Sequence, residues 1–402
     1  MELLFVAPRV PWPLDTGAKI RTYHMLAGLA RAHRVRALVF HDSPAELAAA
    51  DGLAGAGCAV ELVPRSWTRL DQARDAARGL VGPAPFNIRK YERARMEAAL
   101  LGAIERRRPA LVHCDHLHMS RYGRLATDRA GVPHTIDEHN VESLIFERFV
   151  EKRTGLVKLA FREQAFWLRR YEASAARRAW GCLVCSDDDG RKLGALSGQR
   201  NLHVAPNGVD LAYFGAPVTP SATGHLVLTG SMDWAPNEDA ALWFSADVLP
   251  EVRRVAGALP FYVVGRNPSD ALRALGERDR QTIVTGTVPD VRPFLVGARC
   301  LVVPIRVGGG TRLKILEAFA ARVPVVSTRV GAEGIAARDG EEILFAETPA
   351  EFAAQVARLG AEPALSRRLA DSARRLVEAT YGWEAIARAA AAFYERAPAR
   401  VL

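Results

Sequence analysis

Short apolar runs rich in β-branched residues alternate along the chain with longer alanine- and arginine-rich stretches of helical period. Runs of this length bounded by turn residues read as buried strands, and the stretches between them as crossover helices. In the first half the strands fall at 3–7 (LLFVA), 35–40 (VRALVF), 58–63 (CAVELV), 111–114 (LVHC), 134–137 (HTID) and 182–186 (CLVCS). In the second half they fall at 226–230 (LVLTG), 261–265 (FYVVG), 282–286 (TIVTG), 300–305 (CLVVPI), 323–327 (VPVVS) and 342–346 (EILFA). Two sets of six, separated near APNGVD (205–210), predict an α/β chain of two Rossmann-like domains that bind ligands beyond their strand C-termini. The stretch 144–178 reads as one helix carrying Phe146, Phe149, Phe161, Phe166 and Trp167 among nine basic residues. Its plain reading is a helix packed on its own sheet, and its alternative is docking on an anionic membrane surface. Residues 65–98 show no period and read as a loop, whereas 364–396 reads as helical.

One segment departs from this rhythm in a way that implies chemistry. The strand-like run from Cys300 to Ile305 leads to Gly308, Gly309 and Gly310, then to Thr311 and an apolar helical pattern, RLKILEAFAAR. Thr311 reads as the N-cap, which places Arg312 and Lys314 in the first turn and Glu317 one turn deeper on the face of Lys314. Cations there oppose the helix dipole, an arrangement that makes sense if a doubly negative group binds at that end. Lysine is scarce, with six against 48 arginines, so its placement on this turn carries weight.

A second concentration of polar residues is LVHCDHLHMS (111–120), which gathers His113, Asp115, His116 and His118 past a buried strand. Strand alternation sends His113 and Asp115 to one face and Cys114 and His116 to the other. DEHNVES (137–143) follows the next strand with a further histidine, His139. The Cys182–Cys185 pair lies in an apolar run with no second pair to complete a zinc site, and five cysteines give no disulfide framework. No run approaches the ~20 apolar residues of a membrane span, and the N-terminus reads as a first buried strand of a cytoplasmic protein. The net charge of +9 is confined to residues 1–200, which hold 32 basic and 23 acidic side chains; residues 201–402 hold 22 of each. That asymmetry points the first half at an anionic surface or acceptor. Nucleic acid is excluded as the partner, since no helix-turn-helix, zinc-finger or RNA-binding pattern is present.

Taken with LLFVAPRVPWPLDTGAKIRTYHML (3–26), HVAPNGVD (203–210) and VTGTVPDVRPFL (284–295), the glycine segment resembles the donor-binding region of the retaining family 4 (group 1) nucleotide-sugar glycosyltransferases. The resemblance covers nearly the whole chain, and the GGGTRLKILEA form of the loop is similar to that of a polysaccharide-assembly branch. It implies the GT-B fold, two Rossmann-like domains facing across a deep cleft, with 1–203 on the acceptor side and 204–383 binding the nucleotide sugar. A helix at about 384–402 is implied to pack back on the first domain. The implied co-substrate is a UDP- or GDP-sugar, with no bound cofactor and no metal. The acceptor is a glycan or a lipid-linked molecule, and the implied location is cytoplasmic, peripheral on the inner face of the cytoplasmic membrane.

By the same resemblance, Gly309, Gly310 and Thr311 match the loop whose amides approach the donor, and Glu317 matches the carboxylate that holds the ribose. The first carboxylate of that Glu-x7-Glu motif falls on Gly309, which removes the usual contact to the donor sugar. GSMDWAPNED (230–239) also lacks the cations that many members place there, which leaves Arg312, Lys314 and Arg266 as counter-charges for a diphosphate. Asn237, in that segment, reads either as a donor contact or as a helix cap. Gly17, Lys19 and Val288 are implied on the donor side, and His139 and Asn140 beside the acceptor or sugar. Asp115 and His116 are both candidates for the catalytic-region residue. The family mechanism is front-face displacement in which the leaving diphosphate takes the acceptor proton; inversion with His116 as base is the alternative. A sugar-nucleotide 2-epimerase and a non-catalytic scaffold are the other classes that share the fold.

Overall fold

The computed structural model describes residues 1–400 except 66–67, 69–70, 72–84, 152–154 and 308–310. The chain forms two units, Met1–Pro206 with Trp383–Leu402, and Asn207–Gly382.

The first unit is built on seven strands: β1 (Glu2–Ala7), β2 (Arg34–His41), β3 (Ala59–Pro64), β4 (Leu111–Asp115), β5 (His134–Glu138), β6 (Gly181–Val184) and β7 (Leu202–Val204), all parallel in the order β3-β2-β1-β4-β5-β6-β7. Central parallel strands are covered on both faces, which is why β1 is apolar from Leu3 to Ala7. Leu4, Val6, Cys114 and Ile136 face one core layer, whereas Leu3, Phe5 and Ala7 face the other. That second layer is completed by the Trp383–Tyr394 helix, which lies against the Gly17–Ala32 helix. Gly28 is what lets the two helices meet, because a Cβ there would lie 2.2 Å from Ala387 Cβ.

The second unit has six parallel strands: β8 (Leu226–Thr229), β9 (Phe261–Val264), β10 (Thr282–Gly286), β11 (Cys300–Val303), β12 (Val325–Ser327) and β13 (Leu344–Phe345), in the order β10-β9-β8-β11-β12-β13. In each sheet the strand order reverses beside the first strand, between β1 and β4 and between β8 and β11. Loops leaving those C-terminal ends diverge and open a crevice suited to a ligand.

Four expectations are corrected. The first half holds a seventh strand, β7, within the HVAPNGVD region. The aromatic stretch is two helices, Glu142–Glu151 and Gly155–Arg178, and Gly155 starts the second at a φ of 64°. Within 65–98, Phe86–Arg89 and the start of the Ala94–Arg106 helix are ordered elements rather than loop. The helix after the glycine loop runs Leu313–Ala320, so Arg312 rather than Thr311 is its N-cap, with extended backbone and no side-chain capping bond.

Candidate functional site

Two polar clusters occupy the two switch points. In the first unit, Asp115 ends β4 and is completely buried. Its Oδ1 accepts from His139 Nε2 at 2.9 Å, its Oδ2 accepts from Thr22 Oγ1 at 2.8 Å, and His116 Nδ1 lies 3.1 Å from Oδ2. His116 does not continue the strand alternation. It takes a φ of 71°, which turns its ring back over His139 with centroids 3.5 Å apart. The sequence left Asp115 and His116 on opposite faces; the structure places both in one cluster.

Burial alone would raise the Asp115 carboxyl, but His116 and His139 hold it well below the usual carboxylate range. Burial and the neighbouring His116 push His139 down to about 4, so it donates to Asp115 as a neutral Nε2–H imidazole. Burial works against a charged His116, but Asp115 raises its pKa above the ordinary value. Its side chain is 14% exposed against 7% for His139 and 1% for Asp115, so it is the member that a ligand can reach. Asn140 is half-buried and makes no side-chain hydrogen bond among the described residues. Ligand atoms of Asp115, His116 and His139 lie within 4.8 Å of one another, a spacing that suits a metal ion. An ion there would have to displace the protons that make the present contacts.

Arg21, on the helix after β1, is a buried cation. It is 1% exposed, and its guanidinium grips Asp137 through Nη2 to Oδ1 at 2.6 Å and Nε to Oδ2 at 3.1 Å. Its Nη1 donates to the carbonyls of Ala205 at 2.8 Å and Pro206 at 3.2 Å. Burial works against the Arg21 charge, but Asp137 raises its pKa above the ordinary value. Gly17 is the first residue of the Gly17–Ala32 helix, behind the Thr16 N-cap, and Lys19 pairs with Asp15 at 3.0 Å.

In the second unit two strand-terminal glycines allow close packing at the switch point. Gly230 follows β8 with a φ of 145°, and a Cβ on it would lie 2.7 Å from Asn237 Nδ2 and 2.8 Å from Lys314 Nζ. A Cβ on Gly265, after β9, would lie 1.6 Å from Gly230 O. Neither position tolerates a side chain. Lys314 Nζ donates to Asn237 Oδ1 at 2.8 Å, and Asn237 Nδ2 donates to Ser231 O at 2.9 Å. Asn237 is therefore not the cap of the Ala235–Trp243 helix, a position that Trp234 holds. Arg266 Nε donates to Ser231 Oγ at 2.7 Å, which brings a cation into the segment that lacks one of its own. Arg312 is buried, with its guanidinium 5.2 Å over the Trp234 ring.

Lys314 and Glu317 are only partly accessible, and burial is the largest influence on each. It pushes the Lys314 amine down to about 7, helped by Arg312, and the Glu317 carboxyl up to about 7, against the pull of Lys314. Glu317 makes no side-chain hydrogen bond among the described residues. Thr311 is half-buried, with its Oγ1 3.1 Å from where a Cβ on Gly334 would lie. Val288 packs at the rim of the core after β10. Gly309 and Gly310 lie outside the described residues.

A model described as "Glycosyltransferase Family 4" matches residues 15–213, and one described as "Glycosyl transferases group 1" matches 223–362. The chain belongs to the family 4, group 1 glycosyltransferases. The D-inositol 3-phosphate glycosyltransferase of Nocardiopsis dassonvillei is 28% identical over 302 residues, 68% of this chain and 67% of that protein. The MMP alpha-(1->4)-mannosyltransferase of Mycolicibacterium hassiacum is 30% identical over 206 residues, 50% of this chain and only 49% of the relative. Among solved structures, Anabaena HepE in complex with UDP superimposes with a TM-score of 0.69 at 13% identity, over 98% of this chain and all of that one. The α/β architecture of this glycosyltransferase is that of the GT-B fold.

Sequence reasoning named most of the polar residues at both switch points but missed Thr22, Asp137, Gly230 and Gly265. Asp137 was visible as an acid ending a buried strand, and the two glycines as strand-terminal glycines. Thr22 gave no signal.

Proposed function

We propose that the chain transfers a sugar from a nucleotide diphosphate sugar to a glycan or lipid-linked acceptor, with retention and without a metal, in cell-surface polysaccharide assembly. The observation that carries this reading is the switch point of the second unit, where Lys314 and Glu317 stand on one helix turn, each pushed by burial to a pKa of about 7. The leaving diphosphate lies against Lys314, Arg312 and Arg266, and the Gly309–Thr311 loop approaches it. Glu317 takes the ribose hydroxyls, a task for a carboxylate that accepts from two neighbouring donors. In the second unit Val288 is assigned to the donor; in the first, Gly17 and Lys19 are assigned to donor binding and His139 and Asn140 to the sugar or acceptor. Catalysis is then electrostatic: cations already in place stabilise charge growing on the leaving group, whose oxygen takes the acceptor proton. His116, held by Asp115, orients the reacting sugar; HepE was solved with UDP-glucose as well as UDP, which supports a sugar nucleotide as donor.

Replacing Glu317 by Ala tests the assignment. Nucleotide binding should weaken by about 1–3 kcal/mol, the scale of a lost charge-assisted hydrogen bond, with folding nearly unchanged. Calorimetry that finds wild-type affinity in the folded variant removes Glu317 from the site. The convergence of Asp115, His116 and His139 favours one second reading, epimerisation of the donor at C2. Donor incubated without acceptor and followed by NMR distinguishes them, since only the epimerase changes the sugar configuration while the nucleotide sugar stays intact.

A further inference from the structure

The Gly155–Arg178 helix has two unlike faces. Inward, Leu168 is buried against Ile88 and Leu117, Phe161 stacks on Phe146 at 5.5 Å, and Glu172 is fully buried. Outward, Leu159 is 66% exposed and Phe166 52% exposed. Seven residues apart, they stand on the same side of the helix, about 10 Å apart along its axis. Arg162 and Arg170 are exposed on the same side, and the Arg170 guanidinium lies 5.6 Å over the Phe166 ring. Arg169 and Arg177 flank this face, and Glu163 is the acid on it.

We propose that this face docks on an anionic lipid leaflet, with Leu159 and Phe166 entering the acyl boundary and the arginines reaching the phosphates. Two apolar side chains separated by arginines make a poor core for a protein interface, which needs a contiguous apolar patch. They suit an interfacial helix, whose binding adds a few inserted apolar groups to attraction between basic residues and acidic headgroups. The charge of the unit agrees: its residues hold 35 basic and 25 acidic side chains, against 19 and 20 for the second unit. This docking does not depend on the transferase reading.

Flotation of the full chain at low ionic strength tests it, with vesicles of phosphatidylglycerol and phosphatidylcholine in equal parts and with phosphatidylcholine alone. The wild type should float with the anionic vesicles only. Leu159→Glu/Phe166→Glu and Arg162→Ser/Arg170→Ser should each weaken that binding at least about tenfold, with unchanged circular dichroism because all four side chains are exposed. The proposal is overturned if the wild type stays soluble with anionic vesicles, if it binds both vesicle types alike, or if the variants bind as it does. It is also overturned if Leu159→Glu/Phe166→Glu instead abolishes a concentration-dependent dimer, which would assign the face to a second copy. Nucleotide affinity measured on the same samples keeps the two readings apart: a chain that floats but binds no nucleotide refutes the transferase reading alone.

Discussion

Beside the switch point of the first sheet, Arg21 and Asp137 are both buried to within 1% and grip each other at 2.6 Å, and Asp115 is held by two histidines and a threonine. At the switch point of the second, Lys314 donates to the neutral amide of Asn237, and Glu317, one turn on, makes no side-chain hydrogen bond among the described residues. The first cluster has its charges matched within the chain, so they hold an arrangement in place. In the second, Lys314 and Glu317 act on each other without a side-chain hydrogen bond between them among the described residues, and burial holds both close to their titration points, an arrangement open to an anion that arrives from solution. Fixed charge organises a site, whereas loosely matched charge near its titration point recognises a ligand.

The largest expected effect comes from breaking the matched side. Arg21→Met leaves Asp137 buried without its cation and frees the carbonyls of Ala205 and Pro206, so urea unfolding should show a loss of about 3–5 kcal/mol. A loss under about 1 kcal/mol would place the pair with surface ion pairs and remove the contrast.

The next effect is a pH slope that also belongs to the first unit. Both Glu138 oxygens are buried without a hydrogen-bond partner, and the group faces Glu172, Glu142 and Asp137. Burial raises Glu138 well above its ordinary value and pushes Glu172 up to about 7. A carboxyl raised in the folded state keeps a proton that the unfolded chain has already released. Stability therefore falls as pH rises from the ordinary carboxyl value through the raised one. Denaturant curves at a series of pH values should show this decline from the ordinary carboxyl range up to about pH 7, where Glu172 titrates, and Glu138→Gln should make it shallower. An unchanged slope in the variant would show that Glu138 is ionised in the fold.

The smallest effect sharpens the other side. With its amine pushed down to about 7, Lys314 loses its charge as pH rises through neutrality, so affinity for a nucleoside diphosphate should fall several-fold between about pH 6 and 8. Lys314→Arg, which stays charged, should flatten that profile. Calorimetry that finds wild type and variant equally flat would mean that Lys314 does not meet the phosphates.

The sheets were legible because buried parallel strands must be continuously apolar, and LLFVA or CLVV can hardly be anything else. What was not legible depended on distance or on single dihedral angles. β7 escaped notice because its three residues are only half-covered, with Val204 37% exposed, and they carry no long apolar run. Arg21 is one of 48 arginines, and nothing local marks it as buried, since its partner Asp137 is 116 residues away. The alternation rule failed at His116 because it holds only while the strand lasts, and a φ of 71° ends it. Thr311 has the chemistry of an N-cap, yet the helix starts two residues later, at Leu313. The candidate residues were thus readable by type, and their mutual geometry was not.

The helix that fits against Gly28 also sends Tyr394 to hydrogen-bond His113 on β4 at 2.6 Å, so residues 383–394 belong to the core of the first unit. During synthesis those residues emerge only after all of Asn207–Gly382. The half that leaves the ribosome first waits with one layer open, His24 and Gly28 lacking the Trp383 and Ala387 they pack against, while the later half already has its own sheet in hand. Order of birth and order of completion are reversed in this chain, and the interval between them is when the nascent first unit most needs a chaperone's shelter.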